Sequence, residues 1–241
     1  MLGPAVEKTC NRPGAGVVRD RVSDAGLMNA RIATVAAWVV CLGAGVRSAD
    51  LLEHGLDGWV VEGTQDAEER GGRVRVWTIA DGVVRCSGRG FGYLRHEQAV
   101  SDFRLELEYR FPKHGNSGIG IRTVPFTGPL ETRPSQAAYE IQLLSDAGGK
   151  ADRGSSCSLY GHEAPTRNTS RPVGEWNTVV VECRGPRITI EHNGTDVIDF
   201  DQSTRRDTAA KPLSGSVCLQ NHGSVVEFRG IRLTDLSASE K

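Results

Sequence analysis

The chain has no charge of either sign to spare. Its 29 Lys and Arg stand against 30 Asp and Glu, and no dense basic stripe is available to neutralise a phosphate backbone, which excludes nucleic acid as a partner. Six cysteines occur, but none forms a CxxC pair and the histidines do not cluster, so zinc-finger and dithiol-redox readings fall away. No serine is framed by a nucleophile-elbow sequence. Gly88-Arg89-Gly90-Phe91-Gly92 is followed by no helical pattern and is therefore not a phosphate loop. Long amphipathic helices are missing, as are a fixed-period repeat and a second hydrophobic block. The sequons at Asn168 and Asn193 carry no role here, the second lying in a tight turn.

What is present is turn and strand chemistry. With 29 Gly and 10 Pro and short alternating runs of Val, Ile, Thr and Arg, the chain is all-β. In residues 102–111, Phe103, Leu105, Leu107 and Tyr109 alternate with Arg104, Glu106, Glu108 and Arg110, so one face is core and the other wet. Ile119 and Ile121 repeat this against Gly118, Gly120 and Arg122, and Tyr139, Ile141 and Leu143 against Glu140, Gln142 and Leu144. Further strands are expected at residues 73–80, 83–87, 92–95, 178–183, 187–192, 196–200, 216–220 and 225–233, with turns at Asp81-Gly82 and Asn193-Gly194. Residues 50–59 form a lead-in ending in Trp59, which can plug a core edge. Roughly ten to thirteen strands with helix only in short turns require two stacked antiparallel sheets or a barrel, and a β-sandwich fits best. Residues 145–174 lack a period, and a loop of that length inside a domain is usually functional.

The N-terminus carries an address. Residues 28–49 combine Arg31, an apolar stretch over residues 32–44 and small residues before Asp50, which predicts a signal peptide cleaved after Ser48 or Ala49. The stretch is too short to span a bilayer comfortably, so no permanent membrane span is expected after processing and the location is secreted, periplasmic or cell-envelope. The alternative is a disordered leader ahead of an anchoring helix. Residues 1–27 are patternless and are expected to be a mis-assigned or disordered leader, with translation expected to begin at Met28. Lipidation of Cys41 is disfavoured because Trp38-Val39-Val40 offers no small residue. One mature domain follows over residues 50–236, with a tail at 237–241. Its Cys86, Cys157, Cys183 and Cys218 could form disulfides after export or stay as buried thiols.

Several phrases together resemble one family. These are Gly58-Trp59, Asp102-Phe103-Arg104-Leu105, Asn116-Ser117-Gly118-Ile119 leading to Arg122, Tyr139-Glu140-Ile141-Gln142 and Ser158-Leu159-Tyr160-Gly161. They continue with Gly174-Glu175-Trp176-Asn177, Asn193-Gly194, Leu219-Gln220-Asn221-His222-Gly223 and Val226-Glu227-Phe228-Arg229. In this order they are similar to the 3-keto-disaccharide hydrolase domain family. The resemblance implies a concanavalin A-like jelly-roll sandwich, export, and hydrolase chemistry on glycosides oxidised at the sugar 3-position. The chain departs from the family phrase at Asn221, where an Asp is expected, and at Cys218, where a small residue is expected. Residues 125–136 match no motif.

Alternation then proposes a site. If the Ile, Leu and Val positions point inward, then Arg122, Glu140, Gln142 and Gln220 point outward with His222 continuing the series, and Glu106 and Glu108 are possible neighbours. Amides, carboxylates and a guanidinium suit an array of sugar hydroxyls, with Tyr160 or Trp176 covering a ring face. For the 3-keto chemistry that the resemblance implies, Glu140 or His222 is the base and Arg122 the cation that stabilises an enolate, with Gln142 and Asn116 orienting substrate. Direct hydrolysis by Glu140 with Glu106 or Glu108 is the other route. No ligand set names a metal, although a divalent ion is conceivable, and the expected partner is a carbohydrate. A non-catalytic carbohydrate-binding module on the same sandwich is the rival reading, and a structural envelope domain a more distant one.

Overall fold

The computed structural model describes residues 47–69 and 71–237. The leader and signal-peptide readings for residues 1–46, and the tail from residue 238, lie outside the described residues. Fifteen strands follow in chain order: β1 (Arg47–Asp50), β2 (Trp59–Gly63), β3 (Asp66–Glu69), β4 (Gly72–Arg75), β5 (Trp77–Ala80), β6 (Val83–Cys86), β7 (Gly92–His96), β8 (Phe103–Arg110), β9 (Asn116–Thr123), β10 (Tyr139–Leu144), β11 (Asn177–Arg184), β12 (Arg187–His192), β13 (Thr195–Asp201), β14 (Ser216–Asn221) and β15 (Val226–Asp235). One antiparallel sheet has the order β13-β12-β11-β8-β15-β6-β5, with β1 also along β15, and a second has the order β10-β9-β14-β7-β2. Strands β3 and β4 form a separate hairpin. The two sheets enclose one apolar core, an all-β, concanavalin A-like jelly-roll sandwich.

The sheets differ in what their outer faces meet. In the eight-stranded sheet β8 and β11 alternate strictly between buried and part-exposed residues. Leu105 opposes Val181 and Leu107 opposes Val179 inside the sandwich, each such side chain contributing about 1.5–3 kcal/mol on burial. The outer charges pair with one another, as in Arg104–Glu106 and Arg229–Glu108, for about 0–1 kcal/mol each. The five-stranded sheet has no such wet face. Glu140, Gln142 and Gln220 on its outer side are only 6%, 5% and 4% exposed, because residues 124–138 and the long loop at 145–174 cover it.

Both covers are tied down. Glu62 accepts a hydrogen bond from the Phe126 amide at 2.9 Å, and Lys211 donates to the carbonyls of Gln136 and Ala138. In the long loop the Asp146 carboxylate accepts from Ser156 N, Ser156 Oγ and Ser170 Oγ. Residues 157–160 run along β10 as an added edge: Cys157 N donates to Gln142 O, Gln142 N to Ser158 O and Tyr160 N to Glu140 O.

Some expected boundaries move. The run at 73–80 divides into β4 and β5 at Val76, which is fully buried and whose backbone bonds instead to Gln65 and Ser87. Trp59 is buried as expected, with its indole N–H on Leu51 O at 2.9 Å, but it opens an unforeseen strand, β2. The expected cleavage point after Ser48 or Ala49 falls within β1, all four of whose residues are exposed. Cys86, Cys157, Cys183 and Cys218 are buried free thiols. No helix among the described residues is long and apolar enough to cross a membrane.

Candidate active site

Strand register assembles the site. Glu140 lies opposite Gly120 and Gln142 opposite Gly118, Cys218 also lies opposite Gly120, and Gln220 opposes Tyr93. Opposed residues share a face, so Glu140, Gln142, Gln220 and Tyr93 all stand on the outer side of the five-stranded sheet. The two glycines make the depression. A Cβ at Gly118 would lie 2.9 Å from Glu140 Oε1, and one at Gly120 would lie 2.4 Å from Cys218 Sγ. Above them is a hollow of about 110 Å³ whose floor holds Glu140, Gln142, Gln220 and Tyr93.

The rim comes from loops. Asn116 begins β9, Tyr160 is delivered by the added edge and is 44% exposed, and His222 follows β14 and is exposed. Residues 124–138 supply Arg133 and Ser135. The Arg133 guanidinium stacks 4.5 Å from the centre of the Phe91 ring, and the His222 ring meets the same Phe91 edge-on at 5.8 Å.

Five buried polar atoms around this hollow lack a hydrogen-bond partner: Tyr93 Oη, Asn116 Oδ1, Arg133 Nε, Gln142 Oε1 and Gln220 Oε1. Each costs about 1–3 kcal/mol when left unmet, so their concentration in one place marks a surface shaped for a polar ligand. Burial pushes the Glu140 carboxyl up to about 7, against the pull of the Gln220 amide, the Ser135 hydroxyl and the Arg133 charge. Gln220 Nε2 donates to Glu140 Oε1 at 3.0 Å and fixes its orientation. A carboxyl that titrates near neutrality can take and return a proton. Burial also drives the Tyr93 hydroxyl well above its ordinary value, keeping it a neutral donor.

Five of the residues expected here by alternation or loop position line the hollow with Glu140: Asn116, Gln142, Tyr160, Gln220 and His222. Arg122 does not. It has a φ of +55°, and the β9–β14 register slips beside it, between Ser216 and Cys218. The alternation is broken, and its buried guanidinium crosses to the other sheet, donating to Gln202 Oε1 at 3.2 Å, Ser101 O at 3.3 Å and Gly185 O at 2.7 Å. Arg122 is thus a structural tie, and the cation of the pocket is Arg133.

Glu108 and Trp176 are also elsewhere. Glu108 is held by Arg229 on the outer face of the eight-stranded sheet, and the Trp176 ring meets the guanidinium groups of Arg110 at 4.6 Å and Arg229 at 4.1 Å. Glu106 shares that face with Arg104. Among the described residues Glu140 is therefore the one carboxylate lining the hollow, which leaves no second carboxylate there for direct hydrolysis. Asn221, whose replacement of an acid raised a question, is buried beside the site. It donates to Arg89 O and accepts from Gly223 N, bracing the segment that carries Phe91. Among the described residues no three His, Cys, Asp or Glu side chains gather as a metal site would need.

Sequence reasoning missed Phe91, Tyr93, Arg133 and Ser135. Tyr93 left a trace, since it alternates within β7 opposite Gln220. Arg133 and Ser135 lie on a segment without period and left none.

The comparisons agree with this architecture. The profile of the family described as "3-keto-alpha-glucoside-1,2-lyase-like domain" matches residues 50–234. A Bacteroides thetaiotaomicron protein named 3-keto-disaccharide hydrolase is 27% identical over 200 residues, covering 65% of this chain and 69% of its own. Two crystal structures of candidate glycosyl hydrolases from Parabacteroides distasonis share the fold. One has a TM-score of 0.63 at 20% identity over 79% of this chain and 100% of its own. The other has 0.60 at 22% identity over 75% and 90%. With its profile match running from the end of β1 into β15, the chain belongs to the 3-keto-alpha-glucoside-1,2-lyase-like domain family.

Proposed function

We propose that this protein is an exported enzyme that cleaves glycosides oxidised at sugar carbon 3, expelling the group on carbon 1 by elimination, with water adding afterwards. The observation that carries the reading is a single buried carboxyl, Glu140, titrating near neutrality on the floor of a pocket ringed by unmet polar atoms. The family description and the name of the Bacteroides relative supply the 3-keto specification. Export rests on the pattern of residues 28–49 alone.

A ketone at carbon 3 acidifies the proton on carbon 2. Ionised Glu140 removes that proton, and the C–H electron pair forms an enolate with its charge on the ketone oxygen. Arg133 and the Tyr93 hydroxyl stabilise that oxygen, replacing the role expected of Arg122. The enolate pair then re-forms the ketone and a carbon 1–carbon 2 double bond as the carbon 1–oxygen bond breaks. The departing oxygen takes a proton at the rim, where His222 stands. Glu140 exchanges the abstracted proton with solvent while the unsaturated intermediate is bound, and water adding to carbon 1, with a solvent-derived proton delivered from Glu140 to carbon 2, yields the free 3-keto sugar. Gln142, Gln220 and Asn116 hold hydroxyls of the ring, and Tyr160 borders its open side.

The test is Glu140→Gln, assayed for binding and turnover of a 3-keto-disaccharide. The enzyme reading expects turnover to fall about 10³-fold or more while binding persists. A carbohydrate-binding module, the rival reading, would bind without turnover in either form.

A further inference from the structure

A second hollow, of about 510 Å³, is lined by the chain segments that flank two residues of the first. Phe91 and His222 face the active-site pocket, whereas their chain neighbours Arg89 and Gly223 face this cleft. The two segments they share pack closely, since a Cβ at Gly88 would come within 2.6 Å of the Ser224 carbonyl carbon.

The cleft is cationic. Among the described residues its lining carries Arg75 and Arg85 and no acidic side chain. Arg75 is exposed and makes no ion pair among the described residues. Its strand partner Asp66 pairs instead with Arg73, at 3.3 Å. Arg85 reaches Glu227, but that carboxylate also receives Arg110 Nε at 2.6 Å, so two guanidinium groups share one negative charge. In the same lining the Ser87 hydroxyl is buried without a hydrogen-bond partner. Guanidinium groups beside an unmet hydroxyl are the chemistry that grips an oxyanion.

We propose that this cleft binds an oxyanion (carboxylate, sulfate or phosphate) carried by the leaving group of the glycoside, so that the preferred substrates are acidic. The position relative to the leaving group rests on the sugar occupying the pocket as proposed above; the anion affinity of the cleft does not.

The experiment separates the two. Inorganic sulfate is titrated into the ¹⁵N-labelled full chain while the arginine Nε–Hε resonances are followed, with chloride at equal ionic strength as control. The expected result is saturable shifts at Arg75 and Arg85, weakened about fivefold by Arg75→Gln; no saturable shift overturns the anion site whatever the pocket does. In parallel, kcat/KM is compared for 3-keto-disaccharides with an acidic and a neutral leaving sugar. An acidic preference of about fivefold is expected, the size of one exposed charge contact, falling towards unity in Arg75→Gln. Equal rates with sulfate still bound would overturn the link to the leaving group. No turnover of either substrate with sulfate still bound would sink the cleavage reading and leave the anion cleft standing. Carboxylate, sulfate and phosphate leaving groups run side by side identify which oxyanion is preferred.

Discussion

Ionising Glu140 should weaken the fold, and replacing it should strengthen the fold above neutral pH. Its carboxyl is raised from 4.5 to about 7 by burial, with the residue 6% exposed. At about 1.4 kcal/mol per pKa unit this amounts to roughly 3 kcal/mol. The folded value lies above the unfolded one, so the stability it confers is fully present below pH 4.5 and is lost as pH rises through 7. Glu140→Gln retains an acceptor for the Gln220 amide at 3.0 Å and carries no charge. The variant should therefore match the wild type at pH 4.5 and exceed it by up to roughly 3 kcal/mol at pH 8, in urea denaturation at both pH values. Activity should move the other way: wild-type kcat/KM should rise with pH to a plateau, with an apparent midpoint near 7, and the variant should be inactive throughout. A variant that is less stable than the wild type at pH 8, or a Glu140 ¹³C carboxyl titration near 4.5, would refute the reasoning.

Other outcomes follow from the same contacts. His192 is 1% exposed, stacks on Tyr109 and is lowered by burial to about 4; stability should fall as pH drops from 6.5 to 4, opposing the Glu140 effect. The wild-type pH profile of stability should then look flat, and His192→Gln should restore a slope that urea denaturation reads. Arg122→Met strands three carbonyl acceptors and should cost about 2–4 kcal/mol, whereas Arg133→Ala should leave stability nearly unchanged and lower kcat/KM about 10²-fold or more. Gly118→Ala places a methyl 2.9 Å from Glu140 Oε1 and should cut kcat/KM at least about tenfold with far-UV circular dichroism unchanged.

Much of the fold was legible because its largest sheet has one dry and one wet face. Phe103, Leu105, Leu107 and Tyr109 announce that division directly. The period of two also held through β10 and β14, which is why Glu140, Gln142 and Gln220 could be placed on one side. It failed at Arg122 because a non-glycine residue at positive φ leaves no mark in sequence, and one such residue reverses the face of its side chain. Glu108 shows a second limit: it alternates as correctly as Glu140, but which sheet a strand joins is decided by distant partners, here β15 and β11. Arg133 and Ser135 were out of reach for a third reason. Their segment holds only two short helical turns, Leu130–Thr132 and Pro134–Ala137, too brief to show a period, and its position depends on Glu62 and Lys211, more than 60 residues away in one direction or the other.

Proton removal from sugar carbon 2 by Glu140 is tested most directly by a single turnover of a 3-keto-disaccharide in D₂O, quenched before free 3-keto sugar exchanges on its own. Elimination followed by hydration predicts deuterium at carbon 2 of the released sugar and neither release nor deuterium with Glu140→Gln. Release of a sugar that still carries its original hydrogen at carbon 2 would contradict the mechanism.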